Sequence, residues 1–302
     1  MGFFSDISSE QFIAQANQLR ASDPSIEVLY YMLGGERYLE WAHSAGLSKH
    51  EGLRVASPPI PPLNLRSITA ADAEPVFLWS GVFDANVFHE LFRKNWRGSS
   101  DKPAVLDFGC GCGRMTRFLG GHPHLRVHGS DINKVLVRWC QENLPTVSTA
   151  VNGAMPPLDF PDGTFDFLYS FSIFTHIPER SMGIWLKEIK RVLRSKGLAI
   201  VTTHGPAALD IIAGSEIHQS MFRLSSDGAR EIKKSLPSIG FKYLRLDQDV
   251  LDAANAGDDY GQSFADHEYI RREWPKAGVE VAEIIPGGAR GWQDIVILHN
   301  PD

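Results

Sequence analysis

The sequence predicts an α/β fold: a seven-stranded, mostly parallel sheet with helices on both faces and a C-terminal antiparallel β-hairpin, preceded by a helical N-terminal cap. Three observations carry this. Between residue 103 and about residue 204, short apolar runs alternate with amphipathic segments, as buried parallel strands alternate with the helices that cover them. Near the C-terminus two apolar runs are joined by Pro286-Gly287-Gly288, short enough to imply an antiparallel pair at the sheet edge. The first hundred residues show helical spacing broken by a proline-rich connector.

In the N-terminal region, Asp23-Pro24 places a capping side chain before a proline at the first helical position, and Ile26, Leu29, Tyr30 and Leu33 follow at helical spacing until Gly34-Gly35. Pro58-Pro59-Ile60-Pro61-Pro62 reads as an extended tether, since proline neither donates to a helix nor fits inside one. A second helix is predicted from Asp84, with Val87, Phe88, Leu91 and Phe92 on one face. The strands of the sheet are predicted at Ala104–Phe108, Arg126–Ser130, Thr146–Val151, Phe165–Ser170 and Leu198–Thr203. The clearest helix is Ser181–Arg194, with Ile184, Trp185, Ile189, Val192 and Leu193 apolar. After Gly205 the rhythm lapses for about sixty residues. It returns with a helix near His267–Trp274 and the strands Val279–Ile285 and Gln293–His299. The expected organisation is a helical extension over 1–100 and a catalytic domain over 101–302 with a cap insertion at about 206–266.

Composition narrows the function. With 302 residues, 43% of them hydrophobic, the chain can bury a large core, and the net charge of -6 argues against a protein that coats nucleic acid, so no DNA partner is expected. The basic set Lys187, Lys190, Arg191, Arg194 and Lys196 has the spacing of a solvated helix face. Of the three cysteines, Cys110 and Cys112 flank a single glycine, poor geometry for a disulfide and wrong for zinc, so reduced thiols and a cytoplasmic location are expected. No secretion signal, membrane span or metal set is read: His122 and His124 merely flank a proline.

The chemistry is concentrated in Val105-Leu106-Asp107-Phe108-Gly109-Cys110-Gly111-Cys112-Gly113-Arg114. An apolar strand ends in an acidic residue and turns through alternating glycines, needed where a backbone turns sharply and lies against a ligand. The spacing is not the dinucleotide G-x-G-x-x-G: from Gly109 the last position is Arg114, and from Gly111 it is Thr116. The second strand ends in Gly129-Ser130-Asp131-Ile132-Asn133, where a carboxylate can accept from both hydroxyls of a ribose. Downstream come Asn152-Gly153-Ala154, the Phe160-to-Asp166 entry to the fourth strand, then Ser170-Phe171-Ser172-Ile173-Phe174-Thr175-His176 and the helix ending Arg191-Val192-Leu193-Arg194-Ser195-Lys196-Gly197.

These segments resemble the class I, Rossmann-like S-adenosylmethionine-dependent methyltransferases, in particular a bacterial small-molecule or glycan-cluster type. In that family the first motif is D-x-G-x-G-x-G, and an "SxFTHxxE" segment follows the fourth strand. The likeness runs from Pro103 to the C-terminus, through Tyr260-Gly261-Gln262-Ser263-Phe264 and Gly291-Trp292-Gln293-Asp294. It implies S-adenosylmethionine as cofactor and S-adenosylhomocysteine as product. It further implies a cofactor site of Asp107, Gly109, Cys110, Gly111, Gly113, Asp131, Ile132, Asn152, Gly153, Ala154, Ser170 and Phe171. Asn152-Gly153 stands where Gly-Asp is common, and the Asn152 side-chain carbonyl can still meet the adenine amino group.

An activated sulfonium leaves the protein mainly to align a nucleophile on an O or N atom of a small molecule or glycan precursor. Where the acceptor must lose a proton, His176 and His267 are the candidate bases, although His176 can equally hold its loop together. Trp79, Phe83, Met221, Phe222, Tyr260 and Phe264 are expected to line the acceptor site or simply to seal the core. The Asp/Asn-Pro-Pro-aromatic motif of base-methylating enzymes is absent after the fourth strand, where Ser170-Phe171-Ser172-Ile173 stands. A non-catalytic cofactor-binding scaffold, a nicotinamide-dependent oxidoreductase and an RNA or protein methyltransferase stay open as alternatives, as does a homodimer through the aromatic-rich N-terminal region.

Overall fold

Strand order is β3-β2-β1-β4-β5-β9-β8 in a seven-stranded sheet, with a separate two-stranded sheet β6-β7. The strands are β1 Ala104–Phe108, β2 Arg126–Asp131, β3 Ser148–Val151, β4 Phe165–Ser170, β5 Leu193–Thr203, β6 Phe241–Arg245, β7 Gly261–Ala265, β8 Glu280–Ala289 and β9 Gln293–His299. The computed structural model describes residues 14, 59–69, 73–120, 124–246 and 260–301, without the side chains of Pro75 and Trp79. The expected helix at Asp23-Pro24 therefore lies outside the described residues, as do His122 and most of the 247–260 part of the expected insertion. By internal contacts the chain divides into one unit of 1–94 with 100–151 and another of 95–99 with 152–302.

In the first unit β1, β2 and β3 pair in parallel, Asp107 opposite Gly129 and Asp131 opposite Val151. Their helices are α1 Leu63–Arg66, followed by a 3-10 turn at Ser67–Thr69, then α2 Glu74–Asn95, α3 Thr116–Leu119 and α4 Lys134–Asn143. Helix α2 starts at Glu74, earlier than the Asp84 expected from the apolar spacing. Its buried stripe is Phe77, Leu78, Val82, Ala85, Phe88 and Phe92. Asp84 lies inside that stripe and pairs with Arg114 at 2.5 Å. Gly81 hides the continuity in the sequence, yet it is what lets the helix approach, because a Cβ there would run into the Arg114 carbonyl.

In the second unit β4 and β5 pair in parallel and β9 runs antiparallel to both β5 and β8. Its helices are α5 Glu179–Val192, α6 Pro206–Gly214, α7 Glu216–Phe222, α8 Ser226–Ile239 and α9 His267–Glu273. Helix α5 buries Met182, Trp185, Leu186, Ile189 and Val192, each contributing roughly 1.5–3 kcal/mol. It stops at Val192, short of the expected Arg194, because Leu193 is already extended and pairs with Phe165. The Asn300 side chain holds the freed carbonyls of Leu193 and Arg194. The expected solvated basic face is in part an ion-pair cluster: Arg191 binds Glu188 and Asp162, and Arg194 binds Asp166.

The C-terminal hairpin is present at the sheet edge, with its turn displaced. Strand β8 runs through Pro286-Gly287-Gly288 as an irregularity, and the chain reverses at Arg290-Gly291, whose φ angles of 55° and 85° suit a tight hairpin turn. The antiparallel pair β6-β7 was not expected. Gly-Gln-Ser-Phe-Ala has no alternation of apolar and polar residues to reveal β7, and its burial comes from tertiary packing. Residues 206–265 have a core of their own, built from Leu209, Ile212, Phe222, Ala229, Ile232, Leu236 and Phe264.

Candidate active site

In the first unit the glycine turn follows β1. Gly109, Gly111 and Gly113 take φ angles of 88°, 55° and 81°, a left-handed backbone that side chains with a Cβ resist. The turn is fastened to the tip of β2. The amides of Gly109 and Cys110 donate to the Ser130 carbonyl at 2.8 and 3.0 Å, and the Gly111 amide donates to Asp131 Oδ2 at 2.8 Å. Asp131 Oδ1 accepts from the Asn133 amide at 2.8 Å, and Asn133 in turn caps α4. Burial raises the Asp131 pKa, and these two backbone donors oppose the rise. Asp107 is buried and accepts from the Thr116 hydroxyl, tying β1 to α3. Cys110, Cys112 and Cys140 are free and buried, and the Cys140 thiol donates to the Gly111 carbonyl.

A ribose-bearing ligand fits this chemistry. Each Asp131 oxygen takes one backbone N–H and keeps a second lone pair, so the carboxylate can still accept from two adjacent hydroxyls. Ile132 is exposed beside it. Thr69 lies over the turn: a Cβ on Gly111 would come within 2.7 Å of its Cγ2. Phe83, also in this unit, is partly exposed on α2, and the Trp79 side chain lies outside the described residues.

In the second unit Asn152 donates through Nδ2 to the Gly153 carbonyl at 2.8 Å, an orientation forced by a carbonyl that can only accept. Its buried Oδ1 has no hydrogen-bond partner among the described residues. That vacant acceptor matches an exocyclic amine such as adenine's. Gly153 and Ala154 are exposed, Ser170 is fully buried, and Phe171 lies under the Arg290 guanidinium at 5.2 Å.

The carboxyl ends of β4 and β5 and the start of β9 gather the remaining polar groups. Ligands of open α/β sheets bind at this edge. His176 Nδ1 donates to the Gly261 carbonyl at 2.8 Å, and its ring stacks on Tyr260 at 4.4 Å. Burial pushes its pKa down to about 4, keeping the ring neutral, and the Gly261 carbonyl opposes this. His267, at the start of α9, meets Asp294 at 2.6 Å between Nε2 and Oδ2, and Asp294 Oδ1 accepts from the Gly287 amide. The bond to Asp294 raises the His267 pKa against partial burial. Gly205 permits this dyad, since a Cβ there would collide with the Asp294 carboxylate.

The expected lining residues separate. Tyr260, Phe222 and Phe264 come together around His176 and His204, whereas Met221 points into solvent. Asp294, His204 and Gln293 were missed in the sequence. The available signal was a run of polar residues at strand tips, Thr203-His204 ending one apolar strand and Gln293-Asp294 opening another.

Comparison with known proteins agrees with this geometry. A methyltransferase-domain family matches residues 105–197. A 2-methyl-6-phytyl-1,4-hydroquinone methyltransferase of Synechocystis is 35% identical over 112 residues, 35% of this chain and 34% of the relative. A malonyl-[acyl-carrier protein] O-methyltransferase of Paenibacillus is 24% identical over 143 residues, 45% of this chain and 49% of the relative. A sterol 24-C-methyltransferase of Gibberella zeae is 26% identical over 183 residues, 56% of this chain and 47% of the relative. The chain thus spans about half or less of the length of these relatives. The PH0226 protein of Pyrococcus horikoshii shares the fold, with a TM-score of 0.50 and 16% identity over 76% of this chain and 98% of its own. Residues 105–197 thus match a methyltransferase domain, on a fold shared with a solved structure.

Proposed function

We propose that the whole protein is an enzyme that methylates an oxygen or nitrogen atom of a small molecule or glycan precursor, with S-adenosylmethionine as donor. One observation carries the cofactor half of this reading: the Gly111 amide on Asp131 Oδ2 joins the glycine turn to the carboxylate at the tip of β2. The bound cofactor supplies an activated methyl group on a sulfonium. The protein supplies Asp131 for the ribose hydroxyls, Asp107 and the turn from Gly109 to Gly113 with Ile132 beside them, and Asn152 with Gly153, Ala154, Ser170 and Phe171 on the adenine and methionine sides.

For the acceptor half, His267 is the proposed proton acceptor, held in one orientation and kept basic by Asp294. His176, neutral and bonded to Gly261, positions the loop after β4. The relatives' names span a hydroquinone, an oxygen of a malonyl-[acyl-carrier protein] and a sterol carbon, so the acceptor atom rests on the dyad alone. A cap of part of 1–100 with the 206–266 insertion is proposed as well; the cluster of Leu209, Ile212, Phe222, Ala229, Ile232, Leu236 and Phe264 supports only that the insertion packs on itself. The three buried free thiols support a reducing, cytoplasmic setting, and no helix among the described residues is long and apolar enough to cross a membrane.

Calorimetric titration of ligand-free protein with S-adenosylmethionine, and separately with NADH, tests the reading. Saturable binding of the former, weakened about 10- to 150-fold in Asp131→Ala, is expected from loss of a charge-assisted pair of bonds. Well-folded protein that binds NADH and neither the methyl donor nor its demethylated product overturns it.

A further inference from the structure

Beyond the dyad, the edge of the second unit holds buried polar groups with nothing to bond. His204 is 1% exposed, and neither ring nitrogen makes a well-formed hydrogen bond among the described residues, although the Ser263 backbone stands close enough to act on the ring. Gln293 is fully buried. Its Nε2 donates to the Ser172 hydroxyl at 3.0 Å while its Oε1 has no partner among the described residues. Continuing the β5–β9 register past Thr203 opposite Asp294 brings Gln293 opposite His204. Buried polar groups in folded proteins are nearly always bonded, so a pair left vacant at a ligand edge points to an occupant.

The surroundings define the occupant's chemistry. The His204 ring lies 5.4 Å from Trp292 in a near-parallel stack, 5.0 Å from Phe222, 5.5 Å from Phe264 and 6.3 Å from His176. Burial and, after it, the neighbouring His176 hold its pKa well below the ordinary value, and hydrogen bonding to the Ser263 backbone opposes them. A neutral imidazole offers one donor and one acceptor, and the Gln293 carbonyl one acceptor. One hydroxyl can donate to the bare imidazole nitrogen or accept from the protonated one, a second hydroxyl or amine can donate to Gln293, and aromatic walls favour a flat or weakly polar ring face.

We propose that His204 and Gln293 recognise the hydroxylated, uncharged ring of the methyl acceptor. This rests on the methyl-transfer reading above. It assigns recognition to a residue pair distinct from the His267–Asp294 dyad, although both pairs flank the same strand end.

The test uses the full chain with S-adenosylhomocysteine bound and histidine labelled with nitrogen-15. Hydroquinone and methyl glucoside serve as probes, separating an aromatic from a sugar ring. One of them is expected to shift the His204 ring resonances saturably, and His204→Phe to weaken that probe about tenfold or more with S-adenosylhomocysteine affinity unchanged. Without probe, His204→Phe is expected to raise Tm by about 2–4 °C, since an apolar ring replaces an unsatisfied one. Should His204→Phe not fold, Gln293→Leu and His204→Gln provide the same comparison. Resonances unmoved by either probe, or a variant that binds as the wild type does, overturn the proposal. A lowered Tm in His204→Phe does so too, marking a structural water on the imidazole. Failure of S-adenosylhomocysteine to bind the wild type instead sinks the methyl-transfer reading itself.

Discussion

The backbone amides and the carboxylate at the glycine turn of the first unit are bonded to one another, whereas the side chains His204 and Gln293 at the strand edge of the second are not. Around Asp131 both carboxylate oxygens, the Gly109, Cys110 and Gly111 amides and the Ser130 carbonyl are committed to one another, so the turn is rigid before any ligand arrives. Around His204 and Gln293 three polar atoms are buried with no partner among the described residues. A site that must receive the same cofactor every cycle gains from preorganisation, because the ordering entropy is spent on folding and not on binding. A recognition site gains from vacancy, because a ligand lacking the right groups leaves buried atoms unbonded and is rejected.

The sharpest way to break this contrast is at Gly111. A valine there must hold a φ of 55° and place its Cβ against Thr69, so Gly111→Val is expected to abolish measurable S-adenosylmethionine binding in calorimetry. Retained affinity would show the turn to be soft. Next in size is Asp84→Ala in the same unit. Asp84 is 2% exposed and its removal takes a buried carboxylate from the largely buried Arg114 charge, an expected loss of about 3–5 kcal/mol in urea denaturation. A change below about 1 kcal/mol would mean that Arg114 finds water.

In the second unit, Asp294→Asn is expected to lower the maximal methylation rate about a hundredfold once an acceptor is in hand. The pH dependence gives the sign. With its pKa raised by Asp294, His267 carries a proton below that value and can accept another only above it, so the rate rises with pH through a point above the ordinary imidazole value. Losing the carboxylate moves this limb to lower pH. The same raised pKa contributes stability that is complete below the unfolded-state value and disappears as pH rises through the folded one, and Asp294→Asn removes that contribution. A pH profile identical in the two proteins would take His267 out of the reaction. The smallest effect is expected at Asn152→Ala. One neutral hydrogen bond to the adenine amine is worth about 1 kcal/mol, or roughly fivefold in S-adenosylmethionine affinity.

Much of the first unit could be read in the sequence because its determinants are local. Alternate glycines after an apolar strand dictate a turn, and β1 falls at the limits its apolar run predicts, as β4 does in the second unit. Where tertiary pairing decides, the reading slipped. Leu193 looks helical but pairs with Phe165; Pro286-Gly287-Gly288 looks like a turn but is absorbed into β8; Asp84 looks like a helix start but is a buried ion-pair partner.

Legible from the residues by themselves were the sheet with its edge hairpin, the glycine turn and the likeness of residues 105–197 to a methyltransferase domain, since each rests on residue type at fixed spacing along a short stretch of chain. Only the tertiary structure decided which side chains meet across long separations. It set His267 against Asp294, Gln293 against Ser172, and His204 among Trp292, Phe222 and Phe264. The reason is physical: a glycine's conformational freedom belongs to the residue itself, whereas a histidine's basicity and a glutamine's vacancy belong to whatever folding brings beside them.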